Sequence, residues 1–353
     1  KQKTAYEMLR SLVGSEMCIR DRLSPPENNN DKPDSTSHNY IWKADTIWYW
    51  PETLQILPNG VWGSSEDNVI FVGHSDDVDY QIFKYNGNEW INITPRISLY
   101  NGYGRYTPQA IHGFDSTDIW VAGYRYYRDN YLALVLRFDG TEWEDFTIDT
   151  TTKRDSKLYY IWGESSDDIY AVGQSGIYHY DGNKWEHEFT SPENIWFYRI
   201  IRHEEKLYAT AYTIYDQGIQ QNYRYFFYEK VDSLWEIVEE YKPPHRTFGQ
   251  CLFSTGDRLF SVGHNIYEYI QDSWSISEPA PEGGSYWNIW GNSPINIFAV
   301  GYPGIVSHYN GKSWHFYTDL KEKYSAFSFN DIWCTDKKAV SYTHLTLPTI
   351  CSV

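Results

Sequence analysis

Short runs of apolar residues recur along the chain, and five of them end at a glycine. Residues 69–72 (VIFV) precede Gly73, and residues 169–172 (IYAV) precede Gly173. An apolar run without alternation is typical of a strand that is buried on both faces. A glycine that closes such a strand permits a β-bulge or a close approach of two backbones. The pattern therefore predicts buried strands with an irregularity at one end.

These runs belong to a longer unit that repeats about every 45 residues. Residues 161–185 (IWGESSDDIYAVGQSGIYHYDGNKW) form its clearest copy, and the unit recurs up to a seventh copy that opens at Asp331. Each copy predicts four strands: one that ends at Trp-Gly, the apolar run, a third strand, and an outer strand that begins at a tryptophan. The outer tryptophan is expected to act as a large anchor.

The third and fourth strands of several copies are separated by an Asn-Gly or Asp-Gly pair. Such pairs accept the positive φ values of a type I′ turn and are a strong hairpin signal. The sequence therefore predicts type I′ hairpins at Asn86-Gly87, Asp139-Gly140, Asp181-Gly182 and Asn310-Gly311.

The repeat predicts an all-β protein, a β-propeller of about seven four-stranded blades. Seven blades of about 45 residues need about 315 residues, whereas residues 40–339 supply fewer. Residues 40–47 (YIWKADTI) resemble an outer fourth strand and are expected to pair with the last blade. We expect that blade to be incomplete and to leave an exposed strand edge.

The two ends of the chain share nothing with the repeat. Residues 1–22 and 340–353 resemble translated sequencing-adaptor segments, so both are predicted to be foreign to the gene and are excluded from the fold. Residues 23–39 are polar and rich in Pro, Asn, Asp and Ser, which predicts a flexible tether. The propeller is predicted to span residues 40–339.

Composition limits the classes of partner. Aromatic residues make up 18% of the 353 residues, and the formal net charge is −17. An acidic chain does not neutralise a phosphate backbone, so nucleic acid is not an expected partner. No apolar run is long enough to span a bilayer, and the four cysteines have no metal-ligand spacing. We predict a monomer without a cofactor or a metal.

The repeats resemble those of exported bacterial propeller proteins, with the form WGSSxxDVYAVGxxGxIxHYDGxxW. The resemblance covers residues 37–339 and is strongest over residues 161–185. Residues 37–47 (SHNYIWKADTI) are similar to the start of lipoproteins in that group, where a polar stalk follows a lipidated cysteine. The resemblance implies an extracytoplasmic protein, periplasmic, secreted or at the cell surface, whose only link to a membrane is a lipid anchor. A fainter similarity links the repeats to the Asp-box of sialidase-type propellers, without its Ser-x-Asp-x-Gly-x-Thr-Trp spacing.

Propellers usually bind ligands with the loops that lead into each blade and those between its second and third strands. Here these loops are aromatic and partly basic, and aromatic rings stack on sugars or peptide side chains while arginine adds planar donors. Both loop sets are expected at one rim, in a shared groove; the alternative is that their tyrosines simply pack the loops. The candidate binding residues are Tyr103, Arg105, Tyr106, Arg125, Tyr126, Tyr127, Trp196, Tyr198, Arg199, His245, Tyr286 and Trp287.

Other chemical groups carry weaker hypotheses. His179 and His308 occupy the same position in different repeats, so they are predicted to be structural rather than shared metal ligands. Asp76, Asp77 and Asp79 either bind calcium or form a solvated acidic loop, and the second interpretation is favoured. The leading functional hypothesis is a non-catalytic propeller that presents an aromatic face to a protein or glycan. The alternative is a sugar-processing hydrolase or lyase, which needs two close carboxylates in the central channel.

Overall fold

The structure is a computed structural model that describes residues 15–22, 35–47, 55–99, 102–103, 105–127, 130–146, 148, 156–192, 194–217, 220–241 and 248–343. The first two strands are β1 (Ser15–Arg22) and β2 (Tyr40–Ile47). Consecutive strands then form a series of four-stranded antiparallel sheets, which are the blades of a β-propeller.

Six blades each consist of four consecutive strands. Blade 1 comprises β3 (Ile56–Ser65), β4 (Asn68–Ser75), β5 (Ile82–Tyr85) and β6 (Trp90–Asn92). The short hairpin of β7 (Ser98–Leu99) and β8 (Gly102–Tyr103) precedes blade 2, which comprises β9 (Tyr106–Asp115), β10 (Asp118–Tyr127), β11 (Asn130–Phe138) and β12 (Trp143–Asp145). Blade 3 comprises β13 (Leu158–Ser165), β14 (Asp168–Gly173), β15 (Gly176–Tyr180) and β16 (Trp185–Thr190).

The second half of the chain continues in the same order. Blade 4 comprises β17 (Ile195–His203), β18 (Lys206–Gln217), β19 (Gln220–Val231) and β20 (Leu234–Tyr241). Blade 5 comprises β21 (Cys251–Thr255), β22 (Arg258–Val262), β23 (Asn265–Ile270) and β24 (Ser273–Pro279). Blade 6 comprises β25 (Ser285–Ser293), β26 (Asn296–Tyr302), β27 (Ile305–Tyr309) and β28 (Trp314–Phe316). The helix α1 (Thr318–Lys323) and the strands β29 (Phe329–Cys334) and β30 (Lys338–Thr343) follow.

The prediction of about seven blades is corrected to six blades of consecutive strands. A further four-stranded sheet joins the two ends of the chain, in the order β2-β1-β30-β29. We call it the composite sheet. It lies between blades 6 and 1, because Asn292 of blade 6 donates to Asp336 at 2.6 Å and the Val61 amide of blade 1 donates to Asp331 at 2.9 Å. The composite sheet therefore closes the ring.

Residues 40–47 were predicted to pair with a strand of the last repeat, and the structure corrects this pairing. β2 is the outermost strand of the composite sheet, as expected, but it pairs with β1 rather than with a strand of the last repeat. Because β1 also pairs with β30, the described residues do not leave this sheet a strand short. β1 and the end of β30 lie within segments predicted to be foreign. That prediction concerns the origin of the segments, and it stays a prediction.

The core lies between the blades, as the uninterrupted apolar runs predicted. Phe71, Val72, Ile169 and Ala171 on the second strands are all completely buried. The tryptophans that begin the outer strands reach the preceding blade: the Trp143 indole donates to the Ile93 carbonyl at 2.9 Å. The prediction that these tryptophans act as large anchors is thus confirmed at Trp143, where the anchor joins two neighbouring blades.

The predicted type I′ turns are wrong. In the four Asx-Gly hairpins only the glycine has a positive φ, for example 91° at Gly87, whereas a type I′ turn needs two such residues. The side chain of the preceding residue explains the geometry: the Asn86 amide oxygen accepts the backbone N–H groups of Asn88 and Glu89, both at 3.0 Å. This side-chain hydrogen bonding takes over the role of the second left-handed residue.

Residues just before β2 contact blade 6. The Thr36 hydroxyl donates to the Ile295 carbonyl at 2.7 Å, and the His38 and His308 rings approach to 3.0 Å between their Nδ1 atoms. Residues 23–34 of the predicted tether lie outside the described residues. In the part of the chain that is described, no helix has the length and apolar character needed to cross a membrane.

Candidate functional site

A β-bulge recurs at the same place in the innermost strand of the blades. In blade 1, Pro58 faces Gly73 and Gly60 faces Val72, so Asn59 has no partner on the second strand. The same irregularity leaves one residue without a partner in four further blades: Gln109, Tyr159, Tyr198 and Trp287. A bulge bends its strand and re-aims a side chain. Each of these five residues lines one central cavity.

The cavity lies where the innermost strands begin, at the mouth of the central channel, and its volume is about 400 Å³. Gln250 of blade 5 and Asn330 of the composite sheet line it with the bulge residues, as do Arg199 and residues 326–328. Each blade and the composite sheet thus supply one residue to what we call the channel-mouth ring: Asn59, Gln109, Tyr159, Tyr198, Gln250, Trp287 and Asn330. Ligand pockets in proteins commonly have volumes of about 300–1,000 Å³.

The ring combines two chemical types. Four members carry side-chain amides, each of which both donates and accepts hydrogen bonds. Three members are aromatic, and the Tyr159 and Tyr198 rings are neighbours with centroids 6.2 Å apart. Within the described part of the chain, neither the Gln109 nor the Gln250 amide makes a side-chain hydrogen bond. The mouth therefore offers hydrogen-bonding groups and apolar ring faces, without a charge among its seven members.

One cation lies directly beneath the ring. Arg199 follows Tyr198 on β17, is 9% exposed, and lines both the mouth cavity and a narrower cavity of about 50 Å³ deeper in the channel. Its guanidinium lies 4.6 Å from the centre of the Tyr160 ring and 4.5 Å from that of Tyr198. Arginine stacks favourably on aromatic faces, so the two tyrosines fix its orientation.

The deeper channel contains two further titratable groups. Both carboxylate oxygens of Asp331 accept backbone N–H groups, from Val61 at 2.9 Å and from Ile332 at 2.8 Å. Burial raises the pKa of Asp331 to about 6 although both amides favour the charged form. Burial also raises the pKa of the Cys251 thiol, whose Sγ lies 3.3 Å from the Asn288 amide oxygen. The thiol is therefore neutral near pH 7.

A second cavity, of about 350 Å³, lies away from the channel between blades 1 and 2. We call it the outer pocket. Arg105, Tyr106 and Tyr126 line it together with His74 and Gln81. Tyr126 is 38% exposed, and its ring packs against Tyr131 at 5.0 Å between centroids. The Lys157 ammonium lies 3.6 Å from the centre of the Tyr131 ring.

The candidate binding residues therefore do not share one groove. Tyr198, Arg199 and Trp287 meet at the channel mouth, whereas Arg105, Tyr106 and Tyr126 surround the outer pocket. Trp196 lies on the same strand as Tyr198, half-buried against Tyr212 with ring centroids 5.8 Å apart. The expected single rim is thus two separate sites.

Three candidates use their polar groups inside the protein. Arg125 is buried and forms a two-pronged ion pair with Asp145, at 3.0 and 2.8 Å. The Tyr106 hydroxyl donates to the Pro95 carbonyl at 2.9 Å, and the Tyr286 hydroxyl lies 2.8 Å from that of Ser307. These contacts are structural. His245 and the side chains of Tyr103 and Tyr127 lie outside the described residues, so their binding role stays a prediction.

Sequence reasoning missed the amide members of the ring, because it selected aromatic loops. A positional signal was present, since four ring members lie three residues before a tryptophan of their innermost strand. Asn59 precedes Trp62, Tyr159 precedes Trp162, Trp287 precedes Trp290, and Asn330 precedes Trp333 in this way. The repeat therefore marks the position of the ring, while its chemistry varies from blade to blade.

The histidines and the acidic loop have internal partners. His179 Nε2 lies 2.7 Å from Asp168, and His308 Nε2 lies 2.9 Å from the Asn296 amide oxygen, so each pairs with the residue that begins its blade's second strand. In the acidic loop, Asp79 pairs with Arg96 at 2.7 Å. Among the described residues, no group of three or more His, Cys, Asp or Glu side chains is arranged to hold a metal ion.

The fold and the site define a β-propeller with a lined cavity at its channel mouth. No protein-family model matches the chain, and no curated protein matches it. Its structure is similar to that of YCF48 bound to D1 peptide, with a TM-score of 0.53 and 13% identity over 84% of this chain and 95% of that chain. YCF48 from Cyanidioschyzon merolae gives a TM-score of 0.53 and 10% identity, over 84% and 97% of the respective chains. At these identities the similarity shows the fold.

Proposed function

We propose that this chain is a non-catalytic binding propeller that takes a segment of a protein partner at its channel-mouth ring. The observation that carries the proposal is the ring itself, in which every sheet contributes one amide or aromatic side chain to a single cavity of about 400 Å³. An extended peptide presents both an N–H donor and a C=O acceptor at each residue. Side-chain amides match both groups, and aromatic walls accept the side chains between them.

The geometry of the ring favours binding over a purely structural role. Within the described residues, the Tyr198 hydroxyl and the two glutamine amides beside the cavity make no hydrogen bond to another side chain, and Trp287 is 38% exposed at its edge. Packing residues of this propeller, such as Tyr286, instead satisfy their hydroxyl groups internally. A similar protein supports the choice of ligand class, because YCF48 has been solved bound to D1 peptide.

A glycan is the second candidate ligand. Trp287 and Tyr302 are both exposed, and their rings lie nearly parallel with centroids 6.4 Å apart. Flat, exposed aromatic surfaces of this kind accept sugar rings as well as peptide side chains. The extracytoplasmic location implied by the resemblance of the repeats is compatible with either ligand, and we retain it as part of the proposal.

The hydrolase or lyase alternative depends on two carboxylates close together in the channel. Of the described residues that line the mouth and the deeper cavity, Asp331 alone carries a carboxylate. Both of its oxygens accept backbone N–H groups. We therefore base the proposal on binding.

A displayed peptide library and a glycan array, probed with the purified protein, test the proposal. We expect peptides that share a sequence motif and bind saturably, with affinity at least tenfold lower for Tyr198→Ala and Gln109→Ala. Arg105→Ala and Tyr126→Ala in the outer pocket serve as matched controls and are expected to bind as the wild type does. Binding that is lost only in the outer-pocket variants contradicts the assignment to the ring. Saturable binding of one glycan class that requires Trp287, with no peptide motif, favours the second candidate.

A further inference from the structure

Two arginines are buried among the described residues, Arg125 and Arg199. Arg125 has a carboxylate partner, whereas Arg199 has none within ion-pair distance. Arg125 is equally buried, and its guanidinium faces both oxygens of Asp145. For Arg199, no carboxylate of the described residues lies within 4.0 Å; its Nε atom, like that of Arg125, has no hydrogen-bond acceptor. Its Nη1 atom donates to the Tyr198 carbonyl at 2.9 Å. Burying a charge without an ionic partner is costly, and an anionic ligand group at the cavity would offset that cost.

The two acidic groups nearest in the channel do not neutralise Arg199. Asp331 uses both oxygens for the backbone amides of Val61 and Ile332 and lies beyond ion-pair distance. Cys251 is a neutral thiol near pH 7 because burial raises its pKa. The guanidinium interacts with this thiol but keeps its charge, and Arg199 lines the mouth cavity with that charge unpaired by a carboxylate of the described residues.

The surroundings of Arg199 select among anions. The rings of Tyr160 and Tyr198 hold the guanidinium as a fixed planar fork, and such a fork matches a planar carboxylate. Phosphate groups carry nearly two negative charges and usually gather several cations. Here the ring supplies only neutral side chains, and the protein as a whole has a net charge of −17. A single negative charge on a planar group fits this site best.

We propose that the channel mouth recognises a carboxylate of the bound peptide, and that Arg199 is the residue that selects it. This inference rests on the proposed peptide-binding function and adds the class of ligand group. The carboxylate belongs either to an Asp or Glu side chain or to the C-terminus of the peptide, since both present the same planar anion to the guanidinium. Gln109 and Gln250, which line the same cavity, are placed to bind the neighbouring peptide groups.

Three small probes separate these sources in the wild-type protein. N-acetyl-Tyr-Glu-amide carries a side-chain carboxylate, N-acetyl-Tyr-Gln carries a terminal carboxylate, and N-acetyl-Tyr-Gln-amide carries neither. We expect one or both of the anionic probes to bind at least tenfold more tightly than the neutral probe by calorimetry. The Nε–H resonance of Arg199, assigned by its loss in Arg199→Lys, is expected to shift on binding. Equal affinity for all three probes, or no binding at millimolar concentration, overturns the proposal.

Variants assign the preference to Arg199. Arg199→Gln is expected to remove the difference between anionic and neutral probes, and Arg199→Lys to retain the charge but weaken the preference, because an ammonium lacks the planar fork. Arg105→Gln at the outer pocket removes an exposed arginine and is the matched control. A preference that survives in Arg199→Gln overturns the proposal. If that variant does not fold, as judged by circular dichroism, the wild-type probe series and Arg199→Lys still decide.

The result can be separated from the outcome of the library screen. Library peptides that bind through the ring with no preference for a carboxylate leave the peptide-binding function standing and remove the role of Arg199. A preference for the anionic probes that depends on Arg199, without any peptide from the library, keeps the anion site and removes the peptide-binding function.

Discussion

The carbonyl oxygen of Ser285 occupies the space that a Cβ atom on Gly301 would need. Ser285 begins the innermost strand of blade 6, and Gly301 lies near the end of the second strand, where the Trp287 bulge shifts the register. Gly73, Gly123 and Gly173 meet a backbone carbonyl in the same way in blades 1 to 3. The close approach is part of the bulge that turns a side chain into the channel mouth. The glycines of the repeat thus connect the fold to the candidate site.

Gly301→Ala is expected to lower the free energy of unfolding by about 2 kcal/mol, since an added methyl group in a packed site forces the backbone to move. The protein should still fold, because blade 4 has Ala211 at the corresponding position opposite its own bulge. The shift should also displace Trp287, which changes the emission of that tryptophan. Urea unfolding and a Trp287→Phe background measure the two effects.

Gly283→Ala is the control for this substitution. Gly283 has a φ of 73°, but an added Cβ there meets no atom within 4 Å. Only the strain of the left-handed backbone is expected, about 1 kcal/mol. If Gly301→Ala costs no more than Gly283→Ala, the contact with Ser285 does not constrain the bulge.

Arg125 was predicted to bind a ligand, but in the structure it is buried in an ion pair with Asp145. Substitutions of this pair test which role is correct. Arg125→Gln removes the ion pair with Asp145, and removing one member of a buried ion pair typically costs about 3 kcal/mol. Asp145 is partly exposed, so Asp145→Asn should cost less. Thermal and denaturant unfolding measure these losses. The double variant Arg125→Met/Asp145→Leu should recover much of the stability, and a destabilised single variant that still binds the library peptides would confirm the structural assignment.

The repeat predicts most of the fold because its signals are local. Unbroken apolar runs such as residues 169–172 require burial on both faces, and the strand-closing glycines indicate a bulge; both features are present. The type I′ turns were wrong because an Asx side chain such as that of Asn86 supplies the hydrogen bonds that define the turn. The place of β1 in the composite sheet was missed because β1 shares no pattern with the repeat, and its pairing with β2 and β30 has no local signal.

The candidate site was only partly predictable for a similar reason. Tyr198, Arg199 and Trp287 attract notice as aromatic or charged residues, whereas Gln109 and Gln250 do not. Their importance follows from their position at the channel mouth: a bulge brings Gln109 to the cavity, and Gln250 reaches it from the residue just before β21. Whether an arginine such as Arg125 or Arg199 has an ionic partner depends on contacts between strands that the repeat does not specify.

His112 predicts how stability changes with acid. Its ring lies in the channel, Nε2 bonds to the Gly163 carbonyl at 3.0 Å, and burial lowers the pKa of His112 to about 4. As the pH falls, His112 therefore becomes protonated near pH 6.5 in the unfolded chain but only near pH 4 in the folded protein. Stability from the neutral ring is present above pH 6.5 and is lost as the pH falls. Between pH 7 and pH 4.5 the wild type should lose on the order of 1–2 kcal/mol relative to His112→Gln, measured by urea unfolding. A pH-independent difference contradicts the assignment.

Asp331 should produce the opposite slope. Burial raises the pKa of Asp331 to about 6 in the folded protein, above its value of 3.8 in the unfolded chain. The folded protein therefore holds a proton between these values, and the resulting stability is complete below pH 3.8 and lost as the pH rises through 6. Asp331→Asn remains neutral throughout. Relative to this variant, the wild type should lose on the order of 1–2 kcal/mol between pH 4.5 and pH 7, followed by urea unfolding.

Asp67→Asn is the control for Asp331→Asn, since it removes the same formal charge from an exposed turn of blade 1. The Asp331 variant also exchanges an acceptor for a donor opposite the Val61 or Ile332 amide, which adds a loss that does not vary with pH. The informative quantity is therefore the slope of the difference with pH, not its size at one pH. A slope for Asp331→Asn that equals that of the surface control would show that the carboxylate is not protonated in the channel near pH 5.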